Sequence, residues 1–177
     1  MVDQVTDVLA RLTVQFQPWW DVLFIGSFLL GLIIFGLSLI SIPSAMPQGG
    51  RGAGWGKPMM GLISGTFLLN IGSFLNVLAG SIFASQSVAV LSYSPPGSGV
   101  GATYLKFSVY LIMLVGLWGV IQGGYLLRTS TENHEVFWKA ILHIVAGTFC
   151  VNIILFMQML GYSAGGGFNT TIRALLG

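Results

Sequence analysis

The sequence is poor in charge. Only 7% of its 177 residues are Asp, Glu, Lys or Arg, whereas 54% are hydrophobic. A soluble domain carries about a quarter charged residues, so this composition cannot cover a water-exposed surface. Four long stretches contain no Asp, Glu, Lys or Arg: 22–50, 58–105, 107–127 and 140–172. Because a membrane-spanning helix needs about 20 apolar residues, each stretch can supply one. The composition therefore predicts an all-α, multi-pass membrane protein.

Cysteine is also scarce. Cys150 is the only one, which excludes an intrachain disulfide and a thiolate metal cluster. The net charge of +2 is too small for nucleic-acid binding by bulk electrostatics. The first residues are acidic and no apolar segment follows them directly, unlike a secretory signal peptide. We expect the first membrane helix to direct insertion.

Residues 1–20 predict an amphipathic leader helix. Its apolar residues recur at helical spacing, and Asp7 can pair with Arg11 one turn later. Pro18 is expected to end this helix, and Trp19 and Trp20 are expected to anchor it at the membrane surface. Two interpretations are open. The helix lies on lipid or on a neighbouring subunit, or it is an ordinary packed helix.

The uncharged stretches predict four transmembrane helices, at about 21–42, 58–83, 104–128 and 136–160. They are arranged as two tandem helical hairpins, with Pro58 in the first turn of the second helix. The predicted divisions are the leader at 1–20, a first hairpin at 21–83, a connecting segment at 84–103, a second hairpin at 104–160 and a tail at 161–177. Within the connecting segment, the alternation at 88–93 allows a short strand or a re-entrant element.

One heptapeptide occurs twice. GTFLLNI at 65–71 returns 82 positions later as GTFCVNI at 147–153, and Lys57 aligns with Lys139 at the same offset. Upstream, LLGL at 29–32 resembles LVGL at 114–117. These matches predict a duplicated hairpin. An even number of spans separates the copies, so they share one orientation, unlike inverted transporter repeats.

Small and polar residues in the repeat predict helix packing. In lipid, small residues let helices approach closely, and side-chain amides can hydrogen-bond between helices. An asparagine should face protein or water rather than acyl chains. Two roles remain open for the asparagines, as packing contacts or as the polar lining of a conduit. The predicted packing residues are Gly61, Gly65, Asn70, Gly119, Gly123, Gly147 and Asn152.

The residues do not predict catalysis. The five acids lie near the ends of spans or outside them, so no buried carboxylate pair is expected. His143 is interpreted as a hydrogen-bonded structural residue. An intramembrane protease using Ser64 and His143 is the alternative, and it would need an oxyanion hole and a water-filled cavity. We expect no enzyme activity, no metal and no cofactor other than a bound phospholipid.

The basic residues predict orientation. Arg51 and Lys57 flank the first loop, and Arg128 and Lys139 flank the third. Because cytoplasmic loops carry more Lys and Arg, we expect these loops in the cytoplasm and both termini outside it. Basic loops also suit the phosphates of membrane lipids.

The start of the fourth predicted helix carries a family-like pattern. It reads W-K-x-x-x-H-I-x-x-G-x-x-x-x-N-I over 138–153. The chain resembles the small polytopic proteins of type IVB secretion systems, which include the Dot/Icm apparatus and the transfer regions of IncI-type conjugative plasmids. The likeness covers most of the chain in layout, but its specific part is these sixteen residues.

The resemblance implies a structural, oligomerising subunit of the bacterial inner membrane that supports DNA or protein transfer. Its implied partners are further copies of itself, membrane phospholipid, other components of the apparatus and transient single-stranded DNA or protein cargo. In one version the chain is a fixed channel component. In the other it is pilin-like and assembles into an extracellular pilus, with Arg51, Lys57, Arg128 and Lys139 facing the lumen or lipid headgroups. A stand-alone membrane channel or transporter is the alternative function.

Overall fold

The structure, a computed structural model, describes residues 2–45, 54–83, 100–131 and 133–164. Throughout these ranges the regular elements are α-helices. Two helices are each long and apolar enough to cross a membrane, and two bent helix pairs also qualify when each pair is taken as one span. The chain is therefore all-helical where it is described, with two to four candidate spans. The helices are α1 (Val2–Ala45), α2 (Gly56–Leu69), α3 (Ile71–Phe83), α4 (Val100–Thr129), α5 (His134–Val151) and α6 (Ile153–Ala164).

Helix α1 joins the predicted leader and the first predicted span in 44 residues. The prediction that Pro18 ends the leader is wrong, because the helix continues through it to Ala45. A proline removes one backbone N–H and costs about 3 kcal/mol inside a helix. Asp7 and Arg11 form the predicted ion pair, with Oδ2 and a guanidinium nitrogen 2.9 Å apart on an exposed surface. Of the two predicted anchors, Trp19 is exposed and Trp20 is buried.

The second and fourth predicted spans are not single helices. Helices α2 and α3 meet at Asn70 with a bend of 88°, and α5 and α6 meet at Asn152 with a bend of 82°. Each of the helices predicted at about 58–83 and 136–160 is therefore divided into two, although each bent pair still qualifies as one span. Pro58 does lie in the first turn of α2, where a missing N–H removes no helical hydrogen bond. Helix α4 begins at Val100 and covers the third predicted span without a break.

Contacts divide the chain into two units. The first comprises Met1–Asp21, Leu75–Leu117 and Gly147–Gly177, and the second comprises Val22–Phe74 and Trp118–Ala146. Each unit takes residues from both predicted hairpins. The core of the first unit contains Leu75, Met113, Leu117 and Val151, and the core of the second contains Ile34, Leu68, Val120 and Ala140.

Two predicted features lie outside the described residues. The possible strand or re-entrant element at 88–93 is one, and most of the predicted tail at 161–177 is the other. Residues 100–103, assigned above to the connecting segment, belong to α4.

Candidate functional site

In the second unit, α1 and α2 pack with their backbones in contact. A methyl group at Gly31 would lie 2.7 Å from the amide nitrogen of Leu69 and 3.0 Å from the carbonyl oxygen of Gly65. Further along α1, Ser38 lies against Gly61, where an added methyl would overlap the serine hydroxyl. Positions rise along α1 as they fall along α2, so the two helices run antiparallel. Only glycine fits at Gly31 without a shift of backbone atoms, whereas at Gly61 an added methyl would displace the Ser38 side chain.

The same contact is built in the first unit between α4 and α5. A methyl at Gly116 would lie 2.8 Å from both the carbonyl oxygen of Gly147 and the amide nitrogen of Val151. Gly147 and Val151 stand 82 positions after Gly65 and Leu69, and Gly116 holds the place in LVGL that Gly31 holds in LLGL. We call each of these contacts a joint. Corresponding residues therefore build corresponding joints, so the sequence repeat is accompanied by a repeated packing contact.

Gly31 and Gly116 were missed as packing residues when the sequence was considered alone. Neither belongs to a GxxxG pair, since no glycine lies four positions away on either side. The usable signal was the short match between LLGL and LVGL. LLGL and LVGL are 85 positions apart, whereas the heptapeptides are 82 apart. No single alignment of the chain with itself therefore matches both pairs.

The asparagine of each heptapeptide is the residue at which the helix breaks. Asn70 ends α2 with φ −123° and ψ 37°. Around it, the backbone N–H of Asn70 donates to Thr66 O at 3.2 Å, and the backbone N–H of Phe74 donates to Asn70 O at 3.0 Å. Around the other break, Asn152 and Phe156 form the equivalent bonds to Thr148 O and Asn152 O, both at 3.0 Å. At both bends, the backbone N–H and C=O of the asparagine therefore keep their helical hydrogen bonds to the residues four positions before and after it.

At each break, the ring of a phenylalanine before the asparagine contacts the ring of a phenylalanine after it. The rings of Phe67 and Phe74 lie 4.4 Å apart, and those of Phe149 and Phe156 lie 5.0 Å apart, each pair edge to face. Phe74 and Phe156 also correspond at the offset of 82, which extends the repeat to GTFxxNIxxF. Edge-to-face pairs contribute about 0.5–1.5 kcal/mol beyond burial. The repeated motif thus describes a bent helix and the aromatic contact across its bend.

The two asparagines have different surroundings. Asn152 is only 3% exposed, and its side-chain nitrogen donates to Thr148 O of its own helix at 3.0 Å. Asn70 is exposed and lines a cavity of about 300 Å³ with Phe24, Phe28 and neighbouring residues. The Thr66 hydroxyl also bonds within its helix, to Leu62 O at 2.9 Å. The hydrogen bonds seen at Asn152 and Thr66 are therefore intrahelical.

Other predicted packing residues lie in the second unit. A methyl at Gly123 would lie 2.9 Å from Ala140 O, whereas Gly119 is only partly buried. A contact not predicted from the sequence lies beside Gly123. There the buried hydroxyl of Ser64 donates to the carbonyl oxygen of Gly124 at 2.5 Å, between α2 and α4. Ser64 is therefore a helix-packing residue between α2 and α4.

The possible catalytic pair is engaged with backbone groups. The Ser64 hydroxyl binds Gly124 O, and Nδ1 of His143 lies 2.7 Å from Lys139 O on its own helix. Within the described ranges, no group of three or more His, Cys, Asp or Glu side chains could hold a metal ion.

Two of the predicted basic residues meet in one groove of the second unit. Lys57 at the start of α2 and Arg128 at the end of α4 line a cavity of about 330 Å³. Lys139 lies elsewhere and pairs with Glu135 at 2.7 Å. Arg51 is outside the described residues. We call this cavity the basic groove; its lining is Leu37, Ser38, Ser41, Ser44, Gly54, Lys57, Pro58 and Arg128.

Comparisons with family models, with curated proteins and with solved structures find no match to this chain. The likeness to type IVB secretion proteins therefore rests on the sixteen residues of 138–153 and on the general layout.

Proposed function

We propose that the chain is a structural, oligomerising subunit of a type IVB conjugation or secretion apparatus in the bacterial inner membrane. The observation that supports this most directly is the joint built twice from corresponding glycines, Gly31 and Gly116. A protein that repeats a packing contact, rather than a set of reactive side chains, is suited to building an assembly. The pattern at 138–153 supplies the assignment to a type of apparatus.

Oligomerisation is proposed through the open face of α1. Val22, Leu29, Ile33 and Ile40 are all exposed in the second unit. Together with Gly26 and Gly36 they follow the spacing 4-3-4-3-4, the repeat of a helix–helix seam. In the part of the chain that the structure describes, no atom lies within 4 Å of where a methyl would stand on either glycine. In lipid, such small residues let a second helix approach closely, so this face suits a second copy of α1.

Cysteine crosslinking in membranes tests the seam. In a Cys150→Ala background, Ile33→Cys should form disulfide-linked dimers on oxidation. Leu32→Cys is the matched control, because it is similarly exposed but lies about 100° away around the helix. Equal crosslinking at both positions, or none at either, would contradict the proposed seam.

Deletion of the gene in its own host tests the role in transfer. We expect loss of plasmid conjugation or effector secretion, restored when the gene is supplied in trans. Unchanged transfer would contradict the proposal. Surface filaments sheared from the cells then separate the two versions, since a pilin-like subunit would be found in them and a fixed channel component would not.

A stand-alone channel or transporter is the second candidate. It is favoured by the cavity beside the exposed Asn70, which places an amide at a bend within a candidate span. Purified protein in liposomes should then conduct an ion or small solute, and Asn70→Leu should lower the flux. Absence of flux for every solute tried would count against this candidate and leave the assembly role intact.

A further inference from the structure

We propose that the exposed face of α4 in the second unit binds the same face of a second copy of the chain through side-chain hydrogen bonds. We call this surface the α4 face; its residues, all exposed, are Trp118, Gln122, Tyr125 and Thr129. Their spacing of 4-3-4 is the repeat of a helix–helix seam. On its other side, α4 packs closely against α5 at Gly123 and against α2 at Gly124.

Two polar groups of the α4 face lie at the depth of the hydrocarbon. Helix α4 is long and apolar enough to cross a membrane, and residue 117 is the middle of its uncharged stretch 107–127. Trp118 is the next residue, and Gln122 lies about 8 Å from that middle along the helix axis. Both are within the ~15 Å between the middle of a bilayer and the edge of its hydrocarbon. The indole N–H and the side-chain amide are therefore placed where water is absent.

The side chains of Trp118 and Gln122 make no hydrogen bond within the part of the chain that the structure describes. Side chains of a helix point toward its N-terminal end. Because Gln122 follows the middle of the uncharged stretch, its amide points back toward that middle and away from the nearer headgroups. An unpaired amide in hydrocarbon is costly, so this face favours a polar partner over acyl chains.

A second α4 face supplies the matching groups. A glutamine amide has two N–H donors and an oxygen with two lone pairs, whereas an indole is a donor only. In two parallel copies related by a twofold axis, each residue meets its own counterpart at the same depth. The two Gln122 oxygens then offer four lone pairs, enough for both amide groups and both Trp118 N–H groups. An apolar helix from another protein would leave all of them unpaired.

This contact would add a second self-contact to the one proposed on α1. A single polar residue in an otherwise apolar seam fixes which residues lie opposite each other, so Gln122 would determine the register of the two α4 helices. Two separate faces give each copy two neighbours, and assembly then continues beyond a dimer. The inference rests on the membrane placement and self-assembly in the proposed function, and not on the role in transfer.

Disulfide crosslinking of the full-length chain in liposomes of phosphatidylcholine and phosphatidylglycerol measures the α4 contact. In a Cys150→Ala background, Thr129→Cys places a thiol at the end of the α4 face, and we expect crosslinked dimers as the protein-to-lipid ratio rises. Adding Gln122→Leu should raise the ratio needed for half-maximal crosslinking about three- to thirtyfold, the factors that match ~0.6–2 kcal/mol for hydrogen bonds between membrane helices. Trp118→Phe, which keeps a ring but removes the N–H, should shift the ratio in the same direction.

Gln158 provides the matched control, because it is a half-buried glutamine of α6, away from the α4 face. Gln158→Leu should leave the ratio unchanged. A shift equal to that of Gln122→Leu would overturn the proposal, as would the absence of dimers in Thr129→Cys with the native Gln122. Crosslinking of Thr129→Cys to a different protein in host membranes, with none between copies, would assign the face to another partner and also overturn it. Since Ile33→Cys reports the α1 seam separately, failure of the α4 contact is distinguished from failure of the proposed function.

Discussion

At Gly31 and Gly116 the absence of a side chain sets the distance between two helices. Each faces a carbonyl oxygen and an amide nitrogen of the neighbouring helix so closely that even a methyl group has no room. Because the neighbouring atoms are backbone, they cannot be relieved by a change of rotamer. The close approach gains dispersion contacts along both helices, which is the main source of helix association in lipid.

Alanine at these glycines should destabilise the protein. We expect Gly31→Ala and Gly116→Ala each to lower the free energy of unfolding by about 1–3 kcal/mol, the usual cost of forcing extra volume into a packed contact. Gly101→Ala is the control, since no atom of the described residues lies within 4 Å of its added methyl. Unfolding by sodium dodecyl sulfate in mixed micelles, followed by circular dichroism, measures all three. A result in which Gly31→Ala behaves like Gly101→Ala would show that the joint does not constrain the helices.

At individual residues, local sequence rules predicted some features of the structure and failed for others. The rule that proline ends a helix failed at Pro18, where the continuing helix loses only one hydrogen bond. The rule that small residues pack closely identified Gly61, Gly65 and Gly123, all of which are buried. The sequence alone did not predict that Lys57 and Arg128 line the same groove. Lys57 and Arg128 are 71 positions apart, and only the packing of α2 and α4 brings them together.

At the scale of the element, the repeated motif determines a bent helix. A window-averaged hydropathy profile gives 58–83 as one apolar stretch. Such a profile cannot detect a change in the direction of the helix axis at a single residue. Asparagine is unfavourable inside helices because its side chain competes for backbone groups, yet it does not by itself predict a bend near 90°. The additional signal was the second phenylalanine, at position 74 and again at 156, which the heptapeptide match did not reach.

The contact between Phe67 and Phe74 should hold the bend at Asn70. A double-mutant cycle with leucine at both positions should give a coupling of about 0.5–1.5 kcal/mol in unfolding free energy. Losing the contact should also broaden the range of angles between α2 and α3. Spin labels on the exposed residues Ile63 and Val77, in a Cys150→Ala background, report this as a wider distance distribution.

Replacement of one residue of α3 that is not in this contact serves as the control. Phe74→Leu should broaden the distribution, while Ile82→Leu, on the exposed surface near the end of α3, should not. An unchanged distribution in Phe74→Leu would mean that the backbone at Asn70 holds the bend without the aromatic contact.

At the scale of the whole molecule, the number of membrane spans depends on whether each bent helix pair crosses the bilayer. Helices α2 and α3 have 14 and 13 residues, which are about 21 and 20 Å long, so neither alone crosses a hydrocarbon layer of about 30 Å. With a bend near 90°, the pair crosses when each half is inclined by roughly 45°, because the two rises then add to about 29 Å. The bend therefore agrees with one span per pair.

If both bent pairs cross the membrane, the start of α1 and the end of α6 are expected on one side, and the α1–α2 and α4–α5 connections on the other. The basic residues Lys57, Arg128 and Lys139 near those connections favour the cytoplasm for them. Single cysteines at the exposed positions Gln4, Gly54, Thr131 and Ser163, each in a Cys150→Ala background, test this with an impermeant maleimide. We expect Gln4→Cys and Ser163→Cys to react in intact spheroplasts, and the other two only after the membrane is opened. Labelling of Ser163→Cys and Thr131→Cys from the same side would show that α5 and α6 return without crossing, and would reduce the number of spans.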